Sequence, residues 1–308
     1  MRVVFMGTPE FAVPSLEGIV EAGYEVPLVV TVPDKPKGRG RKLSPSPVKA
    51  RAEELGLKVS TPERLRDPDF LEGLRAARPD VICVVAFRIL PEEVYTIPPL
   101  GSFNLHGSLL PKYRGAAPIN RAIMAGETET GVTTFFLKKK VDTGDMILRK
   151  TIPLGPDMTA GELHDIMMEV GRGAVVETLE LIVEGNVGTT SQEDEEGTPA
   201  PKIFREDCQI DWKRTAEELH NHIRGLSPYP GAFTFRREEQ IKILRSSRTT
   251  NVGLAPGKLR IDNDQLFVGT GSEELELLEL QREGKQKMKT SEFLHGVNVD
   301  DWDEFGGG

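Results

Sequence analysis

The feature that most constrains this chain is an alternation confined to its first third. "RVVFMG", "EVPLVVTV" and "PDVICVVAF" are short runs that are apolar throughout rather than at every second residue. Between them lie segments with helical spacing: "TPEFAVPSLEGIVEAG" with its stop at Gly23, "SPVKARAEELGL" with Pro47 early in it, and "PDFLEGLRAAR". A strand that is apolar on both faces must be covered on both faces, and a helix between consecutive strands makes their pairing parallel. From Met1 to about Arg88 the chain therefore reads as an α/β fold, a mostly parallel sheet with helices on both faces.

Beyond that region the pattern changes twice. "GVTTFFL" and "DMILRKTIPL" read as paired strands, and Thr159 to Glu184 as one long helix. "TSQEDEEGTPAPK" is polar, acidic and proline-bearing and reads as a linker. After Asp207, short β-like runs separated by turns ("GAFTFR", "QIKILRSS", "GKLRIDNDQLFVGTG", "LELLELQ") suggest a small barrel. The expected division is 1–189, a linker over 190–206, and 207–308. The terminal "FGGG" reads as disordered.

Composition excludes several classes. With 38% hydrophobic and 28% charged residues among 308, the chain is an ordinary globular protein, and no apolar stretch approaches the ~18 residues of a membrane span. "MRVVFMG" has neither the pattern of a secretory signal nor that of a transit peptide. Cys83 and Cys208 make no disulfide framework or metal spacing, and Cys83 inside "VICVVAF" reads as a core thiol in a reducing compartment. A cytoplasmic protein is expected. The net charge of −9 argues against a surface coated in nucleic acid, yet Asp34 to Arg51, "DKPKGRGRKLSPSPVKAR", is strongly cationic, and "LKKKV" follows from Leu137. "GTPE" lacks the three glycines of a dinucleotide fingerprint, and "GRGRK" lacks the Lys-Ser/Thr ending of a phosphate loop. His220 and His222 lie two apart in a helical segment, face different directions and read as surface residues, as do His164 and His295.

The chemistry gathers in "FNLHGSLLPKYRGAAPINRAI". In a strand with period two, Asn104 and His106 share one face and Phe103 and Leu105 the other. Two polar side chains at a strand's carboxyl end match where open α/β sheets bind ligands. Downstream, "VDTGDMI" places Asp142 on a glycine-containing turn. An Asn to hydrogen-bond an oxyanion, a His to donate or shuttle a proton and an Asp to favour the charged ring suit acyl-type chemistry. "GSLLP" is not a nucleophile elbow, so the attacking group must come from a substrate.

These residues resemble the 10-formyltetrahydrofolate-dependent formyltransferases, which share an Asn-x-His, a Ser-Leu-Leu-Pro loop and a downstream Asp. "MRVVFMGTPEFAVPSL", "DKPKGRGRKLSPSPVKARA", "IRGLSPYPGAFT" and "LELQREGKQKMKTSEFLHG" extend the likeness over essentially the whole chain and toward the branch whose acceptor is initiator methionyl-tRNA. The resemblance implies a Rossmann-like catalytic domain, a linker and an OB-like β-barrel that binds tRNA. It implies that 10-formyltetrahydrofolate is the formyl donor, that no metal takes part, and that the protein is a monomer. Asn104 and His106 would stabilise the oxyanion, and Asp142 would hold His106 protonated and relay the amine proton. Ser108, Leu109, Leu110 and Pro111 would border the folate, with the backbone from Phe87 to Leu90 receiving its pterin. Arg39, with Arg41 and Lys42, would contact the tRNA, in a loop from Asp34 to Lys49 expected to take one conformation only when tRNA arrives. Three positions depart from the family pattern. Arg88 stands where a glycine is expected and must point away from the pterin, "LKKKV" is basic where an acidic or neutral segment is commoner, and Tyr229 replaces a frequent tryptophan. A sugar-nucleotide N-formyltransferase with the same centre, an RNA-binding module and a folate hydrolase are the competing readings.

Overall fold

The computed structural model describes residues 1–37, 42–296 and 302–306. The chain forms two compact units: Met1–Gly115 with Thr130–Ile152 and His164–Pro199, and Ala116–Glu129 with Pro153–Leu163 and Ala200–Gly308.

The apolar runs become the centre of a seven-stranded sheet. In spatial order its strands are Met146–Pro153, Glu129–Phe136, Ser102–His106, Val81–Val85, Val3–Gly7, Val29–Val30 and Val59–Ser60. The five from Ser102–His106 to Val59–Ser60 are parallel, and Glu129–Phe136 joins antiparallel. Val3–Gly7 and Val81–Val85 are buried at every position, as strands covered on both faces must be. Pro47 and Pro68 open their helices at the first position, behind N-caps Ser46 and Asp67 that accept the Lys49 and Asp69 amides. One face of the sheet packs Val4, Met6, Ile82 and Val84 against Phe70 and Leu74 of the helix Pro68–Ala76. On the opposite face lies the helix Ala160–Glu184. A Cβ added to Gly171 would sit 2.7 Å from Leu105 Cδ2, so the absence of a side chain there lets this helix rest on the strand that carries Asn104 and His106.

The chain starts mid-sheet, builds outward to Val59–Ser60, then returns to the other side of Val3–Gly7. Such a reversal opens a crevice at the strands' carboxyl ends. Val84 pairs with Asn104 and Val85 with Leu105, so the loop after Val85 emerges beside the loop after His106.

The segment expected as a linker is held by long-range bonds: Arg114 N–H donates to Thr198 O (2.9 Å) and Tyr113 N–H to Thr198 Oγ1 (2.9 Å). The cationic loop is likewise more built than its composition suggests. Lys35–Lys37 pairs antiparallel with Lys42–Ser44, and Lys49 Nζ bonds both oxygens of Asp34 at 2.8 Å. Arg39 and Arg41 lie outside the described residues, and of Lys42 only the backbone is described.

In the second unit the helix Ala216–Leu226 opens with a capping box between Thr215 and Glu218 and buries Leu219, Ile223 and Leu226 against an antiparallel sheet. The order is Ala232–Arg236, Glu239–Arg248, Leu275–Arg282, Gln265–Val268, Leu259–Asp262, with Met288–Lys289 also on Leu275–Arg282. The small β domain expected after Asp207 is present as this antiparallel path, and among the described residues its first and last strands do not pair with each other. Residues 302–306 instead run between the two edges. Leu259 N–H donates to Asp303 O (2.9 Å), Phe305 N–H to Gly257 O (2.8 Å) and Gly306 N–H to Phe235 O (2.9 Å). Phe305 stacks on Trp212 at 5.7 Å between ring centroids, so the expectation of disorder fails for Phe305 and Gly306. Gly307 and Gly308 lie outside the described residues.

His220 and His222 correct a second expectation, since both are buried. Helix Ala216–Leu226 is covered on more than one side, which a helical period cannot reveal. His220 Nε2 donates to Pro156 O (3.0 Å), which leaves Nδ1 to accept from Ser246 Oγ (3.0 Å). Among the described residues neither ring nitrogen of His222 has a partner at good hydrogen-bond geometry, the Cys208 backbone making only a poorly aligned approach. Burial, aided by the charge of Arg214, lowers its pKa to about 4, against a weaker opposing pull from the Cys208 backbone. Cys83 is fully buried and burial raises its thiol pKa far above the ordinary range, so it is the inert core residue expected.

Candidate active site

Asn104 and His106 end the strand Ser102–His106 on one face, while Phe103 and Leu105 fill the core on the other. His106 is 6% exposed. Its Nε2 lies 2.9 Å from Tyr113 O, and since a carbonyl can only accept, Nε2 carries the hydrogen. That bond fixes the tautomer and leaves Nδ1 as the uncommitted nitrogen. Asn104 is partly exposed, and its side-chain amide makes no hydrogen bond among the described residues.

Asp142 and His106 are not joined by a hydrogen bond or an ion pair. Asp142 Oδ2 accepts the Gly115 amide (3.0 Å). Both side chains thus grip one short segment, His106 at Tyr113 and Asp142 at Gly115. Glycine is required beside Asp142, because a Cβ at Gly144 would lie 1.5 Å from Phe136 O. Ala86, Tyr113 and Asp142 hold φ of 47°, 59° and 55°, three of the six non-glycine residues with positive φ among the described residues. Each such backbone costs on the order of 1–3 kcal/mol, and such residues concentrate at functional sites.

The Ser-Leu-Leu-Pro loop is anchored internally. Ser108 Oγ donates to Lys112 O (2.6 Å), and Leu110 lies in a core cluster with Phe135 and Met146. The side chains of Ser108 and Leu110 are therefore committed to the loop and the core, while Leu109 is partly exposed. Thr133, which the sequence reading passed over, clamps this loop. Its Oγ1 donates to Ser108 O (2.7 Å) and accepts from Leu110 N–H (3.1 Å). The available signal was a threonine pair inside the apolar run "GVTTFFL", since a buried hydroxyl needs partners.

On the neighbouring loop, Phe87 and Leu90 pack against the core of their sheet face. Arg88 reaches across to the segment that follows the strand Val59–Ser60. Nη1 donates to Glu63 O (2.9 Å) and Nη2 to Pro62 O (2.8 Å), while the guanidinium lies 5.1 Å from the Phe87 ring centroid. Burial lowers the Arg88 pKa. Among the described residues no group of three His, Cys, Asp or Glu side chains is placed to hold a metal ion, and no helix is long and apolar enough to cross a membrane.

Residues 1–179 match the family model described as formyl transferase, and residues 202–298 the one described as formyl transferase, C-terminal domain. A methionyl-tRNA formyltransferase of Porphyromonas gingivalis is 46% identical over 308 residues, covering 96% of this chain and 95% of its own. One of Chlorobium luteolum is 49% identical over 303 residues, covering 96% of each. Among solved structures, an N-formyltransferase from Helicobacter canadensis in complex with folinic acid and dTDP-3-aminofucose superposes with a TM-score of 0.67 at 21% identity, over 93% of this chain and 99% of that one. HypX from Aquifex aeolicus in complex with tetrahydrofolic acid gives 0.63 at 19% identity, over 96% of this chain and 47% of that one. At such identities the structural likeness establishes the fold alone. The two family models and the near full-length relatives establish more: the chain belongs to the formyl transferase family.

Proposed function

We propose that this chain transfers the formyl group of 10-formyltetrahydrofolate to the α-amine of methionine esterified to initiator tRNA, acting as a cytoplasmic monomer. The observation that carries the reading is identity of 46–49% over nearly the full length of relatives named for that activity.

The amine lone pair attacks the formyl carbon, forming the new C–N bond and leaving an oxyanion. The Asn104 amide, uncommitted within the chain, donates to that oxygen together with Nδ1–H of a protonated His106, while the Nε2 bond to Tyr113 holds the ring in place. Asp142 relays the amine proton to the folate nitrogen as the bond from that nitrogen to the formyl carbon breaks. Ser108, Leu109, Leu110 and Pro111 border the folate, and the backbone from Phe87 to Leu90 receives its pterin. Arg39, Arg41 and Lys42 contact the tRNA, with residues 1–189 as the catalytic part, 190–206 as the linker and 207–308 as the tRNA-binding part.

The test is to incubate the protein and 10-formyltetrahydrofolate with charged initiator tRNA, charged elongator tRNA, a nucleotide amino-sugar, or no acceptor. Formyl transfer only to initiator methionyl-tRNA is the expected result. Transfer to the amino-sugar, or equal donor hydrolysis with and without acceptor, would overturn it.

A further inference from the structure

The run Lys138-Lys139-Lys140 sits on the turn that presents Asp142, and the structure treats its members unequally. Lys138 Nζ bonds Asp145 Oδ1 (2.7 Å) and Lys140 Nζ bonds Asp194 Oδ2 (2.7 Å). Asp194 also holds Arg114 at 2.8 Å, and the two cations, Lys140 foremost, keep its carboxyl below the ordinary range. Thr143 Oγ1 closes the turn onto Lys140 O (2.9 Å), and Asp142 reverses the chain at φ 55°. Lys139, exposed between the two stapled lysines, has no ion pair or hydrogen bond among the described residues. Its neighbours have spent their charge internally, and its own meets no partner among the described residues.

Two residues separate Lys139 from Asp142, a Cα span of at most about 11 Å even if extended, and this segment turns. A substrate whose amine reacts beside Asp142 and whose next fixed charges are the phosphodiesters of a single-stranded end would bring an anion into that range. We propose that Lys139 is a positioning residue whose ammonium takes a phosphodiester oxygen near the 3′ end of the acceptor tRNA. This rests on the function proposed above. An ammonium serves as a point-charge partner for phosphate, and the stapled turn has already lost much of the freedom that binding would otherwise remove.

Steady-state kinetics of Lys139→Gln and Lys139→Arg, with both substrates varied in turn, test this. With Lys139→Gln, KM for charged initiator tRNA should rise about two- to tenfold, the worth of one exposed charge-assisted contact, with kcat little changed. The slope of log KM against log salt should shrink by about 0.7, the loss of one contact to a single strand. Lys139→Arg should restore both. KM for 10-formyltetrahydrofolate should not move, whether the donor carries one glutamate or several. An unchanged KM for tRNA would overturn the proposal. So would a higher donor KM that grows with glutamate number, which would assign the charge to the folate tail. Failure of the parent reading would appear in the wild-type protein, as absent formylation of methionyl-tRNA, rather than in the comparison of variants.

Discussion

Replacing Thr133 by valine keeps the shape of a fully buried side chain and deletes one hydroxyl. Two buried groups then lose their partner: Ser108 O its donor at 2.7 Å, and Leu110 N–H its acceptor at 3.1 Å. An orphaned buried group costs about 1–3 kcal/mol, so the pair costs about 2–6 kcal/mol. The extra methyl in an apolar setting returns about 0.8 kcal/mol, leaving a net loss of about 1–5 kcal/mol. The loss is local, on the loop that follows His106. Amide hydrogen exchange reads it directly: the Leu110 amide should exchange at least about sevenfold faster, since 1.4 kcal/mol is a factor of ten. Urea denaturation should report the same range, and kcat for formyl transfer should fall because the loop beside His106 loosens. A Leu110 amide as protected as in the wild type, with unaltered urea midpoint and kcat, would refute the assignment of Thr133 as the clamp.

Asn104→Ala and His106→Ala should each lower kcat by about a hundred- to a thousandfold with folding intact, the usual effect of removing one oxyanion donor, and near-normal turnover in either would sink its role. Asp142→Asn can still accept the Gly115 amide, so circular dichroism should be unchanged while the rate collapses; retained activity would make the residue purely structural. Arg88→Ala removes two bonds to the Pro62 and Glu63 carbonyls, and KM for 10-formyltetrahydrofolate should rise about two- to tenfold while kcat holds. His222 stays neutral in the folded chain down to about pH 4, whereas the unfolded chain protonates it near 6.5. The unfolded state then binds more protons, so stability drops as pH falls through this window, by about 2 kcal/mol at pH 5 and about 3 kcal/mol in full. His222→Leu should flatten that part of the profile, as urea midpoints at pH 7.5 and 5 will show.

What the sequence disclosed depended on the range of the interaction involved. Val3–Gly7 and Val81–Val85 announce themselves, because burial on both faces demands an unbroken apolar run. Asn104 and His106 were legible for the same reason: a strand's period of two is a local rule. Thr133 was not, since its partners lie 23 and 25 residues away and only the antiparallel register of Glu129–Phe136 on Ser102–His106 brings them together. Asp142 was legible as a partner of His106 from its chemistry, but not that the two side chains hold one segment, at Gly115 and Tyr113. His220 and His222 were misread because spacing shows how residues are arranged around a helix, not how many of its sides are covered.

Residues 302–306 carry a consequence for how the second unit comes into being. Leu259–Asp262 is an edge strand whose outer backbone is met by Asp303, and the Arg236 end of the other edge strand is met by Gly306, whereas at Phe233 that strand is already paired by the earlier Gln209 and Ile210. In a chain made from its N-terminus, Leu259–Asp262 and the Arg236 end emerge before that strap exists. For this interval they offer unpaired N–H and C=O groups to any other extended chain, the template on which sheets aggregate. Phe305, stacked on Trp212, is the anchor that ends the exposure. Weakening it should therefore harm soluble yield in the cell more than it harms the stability of molecules that have already folded.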